Sequence, residues 1–150
     1  MTVAFLPLLL LSLFGFEEVG RLPLGRTLAV ALQGGRIFYG MGGMLRVLDM
    51  ESGEVRREAK IGGVILDIKP WGDSLLLACG PEGMKVVRAS DLKVVGRFEG
   101  TAPSMTLRPP LVFVSGGRDG VKILDISHLE KPRQVGKLET EGEARSVFVG

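Results

Sequence analysis

The 150-residue chain holds one cysteine, one histidine, one tryptophan and one tyrosine. With Cys79 alone there can be no intramolecular disulfide framework and no multi-cysteine metal site. His128 has no second histidine with which to build a metal pair or a catalytic relay. Charge of one sign is also scarce. Nineteen Lys and Arg stand against 17 Asp and Glu, for a net charge of +2. No Lys/Arg cluster concentrates that excess, so neither nucleic acid nor an anionic membrane surface is an expected partner. No apolar run reaches the roughly 20 residues that cross a bilayer as a helix. The longest, Val3–Phe16, has 14 residues. Outside that run no window carries a 3.6-residue apolar period of helical length.

What remains is plentiful glycine (22 residues), eight prolines and 45% hydrophobic residues, a composition of short elements and many turns. The first sixteen residues, MTVAFLPLLLLSLFGF, contain no charged side chain, and Glu17 and Glu18 end the block abruptly. Its length suits the apolar core of an export signal, with cleavage at Gly15, so residues 1–15 are expected to be a signal peptide. An uncleaved leader would be the chain's one route to a membrane.

Residues 16–150 repeat. Gly25–Gly40 aligns without a gap on Gly63–Ala78, pairing Leu28 with Leu66, Val30 with Ile68 and Gly34 with Gly72. A third copy runs through Met105, Leu107 and Leu111–Gly117, and a fourth begins at Ala144–Gly150. Each copy continues through a Gly-rich turn into Gly43–Met50, Gly83–Ser90 or Gly120–Ser127. Each then closes with Val55–Lys60, Val94–Glu99 or Val135–Glu139. The units are therefore about 25–60, 63–99 and 102–139, with the start of the next at 144–150. Four short Leu- or Val-rich runs per unit, separated by Gly, Pro, Asp and Ser, read as four strands. Four-stranded units of this length are blades of a β-propeller, so the chain is expected to be all-β. Three blades and the start of a fourth make an incomplete ring. Val19–Leu24 resembles a fourth strand without its first three, which predicts a last blade encoded beyond Gly150. A chain that ends at residue 150 would instead be expected to self-associate.

The third unit, V-F-V-S-G-G-R-D followed by G-V-K-I-L-D-I-S-H-L-E-K-P-R-Q-V-G-K-L (Gly120–Leu138), resembles the LVIVD repeat of bacterial and archaeal cell-surface propellers. The first unit keeps Gly43, Asp49 and Ser52 of that pattern, and the second carries Arg88 where Asp49 and Asp125 stand. The resemblance implies a secreted or surface-displayed propeller and no particular reaction.

Few residues invite a chemical role. Asp49 and Asp125, at equivalent strand ends, are expected to cap the following turns through Asx-type hydrogen bonds. Arg88 at the same place is expected to pair with a neighbouring blade. Trp71, in K-P-W-G-D between first and second strands, is the candidate rim contact for a partner. Cys79 reads as a small buried hydrophobe and His128 as a solvated loop residue. The Gly-rich turns join strands to strands, without the helix a phosphate loop needs. No catalytic residue, cofactor or metal ligand is expected. The function expected is a non-enzymatic, exported or cell-surface module that binds or scaffolds a protein or a surface glycan. The alternative is an exported propeller enzyme (lyase, hydrolase or quinoprotein) whose site is completed by blades beyond residue 150.

Overall fold

The computed structural model describes residues 27–150. The expected leader and the expected closing strand at Val19–Leu24 lie outside these residues. Twelve strands make three four-stranded antiparallel sheets, each connected in sequence order, as the repeat predicts. The first blade holds β1 (Thr27–Gln33), β2 (Arg36–Met41), β3 (Met44–Asp49) and β4 (Val55–Lys60). The second holds β5 (Asp67–Trp71), β6 (Ser74–Ala78), β7 (Met84–Arg88) and β8 (Val94–Phe98). The third holds β9 (Met105–Arg108), β10 (Leu111–Ser115), β11 (Val121–Asp125) and β12 (Arg133–Leu138). No helix occurs among the described residues. The chain thus folds as part of a β-propeller.

Local chemistry sets the hairpins. Gly34 and Gly35 both adopt positive φ, the requirement of the two-residue turn whose twist matches its flanking strands. Period-2 alternation then sends successive side chains of each strand to opposite neighbours. β6 shows this most clearly, because all five of its residues are buried. Leu75 and Leu77 join a core with Phe38, Leu45 and Val47 of the first blade. Leu76 and Ala78 join another with Val112, Val114 and Leu124 of the third. The second blade is therefore buried on both faces, and its strands read as continuous apolar runs for that reason.

The first strands of successive blades touch, β1 against β5 and β5 against β9, so they form the inner wall. Turns hook each blade to the next. Gly80 exchanges two backbone hydrogen bonds with Ala102 (2.9 and 2.8 Å), and Gly117 does the same with Ala144 (3.0 and 2.8 Å). Beyond that second hook the chain follows β9. Thr106 Oγ1 donates to the Val147 carbonyl at 2.6 Å, and Arg108 donates to that of Val149 at 3.1 Å. Residues 144–150 thus run beside β9, but they form no strand.

Candidate functional site

One rim of the blades is built from two kinds of turn that bond to each other. In each blade the amide just after the third strand donates to a carbonyl at the first-to-second turn: Met50 to Gly35, Ala89 to Asp73 and Ile126 to Pro110, at 2.9 to 3.0 Å. Across the blade boundary, Gln33 Nε2 donates to the Gly72 carbonyl at 2.9 Å. The rim is a cross-braced row of short turns.

Asp49 and Asp125 lie on this rim at the ends of β3 and β11. Asp49 Oδ1 accepts hydrogen bonds from the Glu51 and Ser52 amides at 3.0 and 2.9 Å and from Ser52 Oγ at 3.2 Å. Asp125 Oδ1 accepts from Ser127 Oγ at 2.6 Å and from the Ser127 amide at 2.8 Å. The Ser52 amide, more than any other group, holds the Asp49 carboxyl below its ordinary value; at Asp125 the Ser127 hydroxyl leads.

Arg88 does not reach a neighbouring blade. Its guanidinium pairs with Asp91 of its own turn at 2.8 Å. Asp91 in turn accepts a hydrogen bond from the Lys93 amide, which draws its carboxyl below the usual range. An aspartate three residues further on thus performs the turn-bracing that Asp49 and Asp125 perform elsewhere. Sequence alignment on Arg88 missed it, although an aspartate between two apolar runs is itself a turn mark.

Trp71 is the last residue of β5, paired with Ser74, rather than a residue of the turn. It is 39% exposed. Strand alternation puts it with Asp67, whose Oδ2 accepts the Met105 amide of the third blade at 3.2 Å. It therefore belongs to the side of blade two that faces blade three. His128 lines an open depression of about 530 Å³ with Asp125, Lys131 and Arg133. Cys79 is fully buried between blades one and two, and burial pushes its thiol up to about 11. Among the described residues no group of three His, Cys, Asp or Glu side chains could hold a metal ion.

The same rim carries a cleft between blades one and two that single residues of the sequence do not announce. It has two connected parts, of about 510 and 380 Å³. Arg36, Ala89 and Ser90 line both. The wider part adds Arg88, Asp73 and a floor at Phe38, and the narrower part adds Asp49, Arg56 and Arg57. Arg57 donates across the boundary to the Ser90 carbonyl. Arg56 pairs with Glu54 at 3.2 Å. Four guanidiniums from two blades thus surround one open channel, an arrangement suited to anions. Individually these arginines read as solvated surface charge, and only the packing of two blades collects them.

No family model matches the chain, and no curated protein does. Solved structures do. The computationally designed Ika4 protein superposes with a TM-score of 0.77 at 13% identity, over 90% of this chain and 88% of that one. The designed Ika8 protein gives 0.69 at 13% identity, over 83% of this chain and 40% of its own. BamB from Moraxella catarrhalis gives 0.62 at 16% identity, over 77% of this chain and 38% of its own. The chain therefore spans less than half the length of the last two. At such identities the likeness is one of fold: a partial β-propeller.

Proposed function

We propose that the chain is a non-enzymatic binding or scaffold module, exported to the periplasm, the extracellular space or the cell surface, that works through its turn rims. The observation that carries this reading is the arginine-lined cleft, an open, charged surface held between two packed blades. Sheets that bury each other's faces leave their turns as the adaptable surface, and rigid scaffolds commonly present binding residues that way. Export is supported by the sixteen charge-free residues that precede the first charge. The partner class is a protein or a surface glycan, and Trp71 is the aromatic contact on the rim.

Two measurements test the reading. N-terminal sequencing of protein from its native host should find a mature start near residue 16; an intact Met1 on soluble intracellular protein sinks export. Binding of the full chain to peptide and glycan arrays should weaken on Trp71→Ala. A partner bound equally well by that variant removes Trp71 from the contact, and catalytic turnover of an arrayed compound overturns the non-enzymatic reading.

A further inference from the structure

We propose that the cleft between the first and second blades binds acidic peptide segments, with Arg36 and Arg57 receiving their carboxylates. The proposal rests on the rim being a binding surface and names the ligand class one part of it takes.

The repeat itself shows that these arginines are not needed to build a blade. Arg57 lies opposite Val47, Gly96 opposite Val86 and Gly136 opposite Ile123, each just before the irregularity in its strand pair. Arg57 thus occupies the place that is glycine in the other two blades. The preceding residue is Arg56 in the first blade and valine in the others, Val95 and Val135. Arg36 opens β2 where Ser74 and Leu111 open β6 and β10. Three arginines therefore stand at positions filled elsewhere by Ser, Leu, Val or Gly.

The glycine position controls whether a cleft exists. At Gly96 the Leu129 carbonyl, from the turn of the third blade, packs directly on the strand, so closely that any Cβ would collide with it. At the first boundary the side chain of Arg57 fills that place and meets the corresponding turn through the Ser90 carbonyl. A bulky side chain there is incompatible with the close approach seen between blades two and three. The narrower part of the cleft lies at this substituted position.

Charge bookkeeping identifies the receptive groups. Arg88 and Arg56 are matched by Asp91 and Glu54. Arg36 and Arg57 form no ion pair with a carboxylate among the described residues. Guanidinium forks take carboxylates bidentately, and two in one channel suit successive acidic side chains of an extended chain. Each part of the cleft holds one aspartate, and Asp73 in the wider part forms no ion pair among the described residues. Asp49 in the narrower part lies 3.9 Å from Arg56, which offsets its charge and favours carboxylates on the Arg36–Arg57 side. The single ring lining the channel, Phe38, is 1% exposed and offers no face on which a sugar could stack. That favours peptide over glycan.

The test is fluorescence anisotropy of a labelled hexaglutamate peptide against the full chain, at about 50 mM salt to limit screening. Saturable binding is expected. Arg36→Ser and Arg57→Gly, which install residues found at the equivalent positions, should each weaken it about fivefold to tenfold, the scale of one charge-assisted pair. Arg97→Ser removes an exposed charge that does not line the cleft and should leave affinity unchanged. Should Arg57→Gly fail to fold by far-UV circular dichroism, Arg57→Gln removes the charge and keeps a donor for Ser90. Absence of saturable binding, undiminished binding by a variant that combines Arg36→Ser with Arg57→Gly, or an equal loss on Arg97→Ser overturns the proposal. Preference for a sulfated oligosaccharide or inorganic phosphate over the peptide overturns it as well. If the peptide does not bind while another partner binds in a Trp71-dependent way, the cleft proposal fails and the rim reading stands.

Discussion

Two aspartates, one cysteine and a set of arginines show what single residues disclose in a repeat. Asp49 and Asp125 could be assigned to turns from type and position alone, because a short carboxylate after a strand finds the next amides within reach. Their carboxyls lie below the ordinary value of 3.8 in the folded chain. A depressed folded value means that the contribution is present above the ordinary value and is lost as pH falls through the folded one. Asp49→Ala and Asp125→Ala should therefore lower the melting temperature at neutral pH. The gap to the parent chain should narrow progressively below pH 3.8 in thermal scans. A gap that persists undiminished in strong acid would assign the effect to packing instead. Cys79 gives a complementary forecast, since its thiol is buried and titrates at about 11. Iodoacetamide near neutral pH should leave it unmodified in the native chain and alkylate it in denaturant, as read by intact mass. The arginines were opaque at this scale, because an exposed Arg carries no mark of what a neighbouring blade brings beside it.

Strands and turns were legible because each has its own chemical punctuation, repeated at a near-constant interval. The twelve strands fall within the three repeat units, with β12 starting at Arg133 rather than Val135. Register was less accessible. Valines 55, 95 and 135 are 40 residues apart, which would put Arg56 beside Gly96, whereas Asp49 and Arg88 are 39 apart and Arg57 takes that place. In a strand a one-residue slip exchanges the two faces, so spacing alone could not say which arginine takes the position that is glycine in the other blades. Register also explains a buried cation. Lys85 lies opposite Leu77 and Lys122 opposite Val114, each on the face turned toward the preceding blade. Lys85 Nζ donates to the Ile61 and Gly62 carbonyls at 3.1 and 2.9 Å, tying β7 to the segment that leaves the first blade. Lys122 Nζ lies 5.9 Å from the centre of the Phe98 ring of the second blade. Lys85→Met keeps the apolar stem but removes the donors for two carbonyls. It should cost about 2 kcal/mol in chemical denaturation at unchanged m-value. A neutral result would mean that water replaces the ammonium at both carbonyls.

The described residues form a row of three sheets, and a blade's place in that row sets how much of it is covered. The middle blade is covered on both sides, whereas the outer faces of the first and third expose Val30 and Leu32 on β1 and Leu138 on β12. Such a row behaves as nearest-neighbour interfaces added to intrinsic blade stabilities. Amides of β6 and β7 should then exchange most slowly with solvent, and those of β4 and β12 soonest. Adjacent leucines on β6 separate the two interfaces. Leu77 and Leu76 are both fully buried, yet Leu77 packs toward blade one and Leu76 toward blade three. Each replacement by Ala should cost about 2–5 kcal/mol, so global denaturation would not distinguish them. Hydrogen exchange read by mass spectrometry would. Leu77→Ala should speed exchange preferentially in β1–β4, and Leu76→Ala in β9–β12, because each cavity weakens one boundary and spares the other. Equal acceleration of all three sheets by either variant would show that the blades open together. The interface terms would then be large against the intrinsic stability of a blade, and the cleft between blades one and two would be held open or closed by the row as a whole.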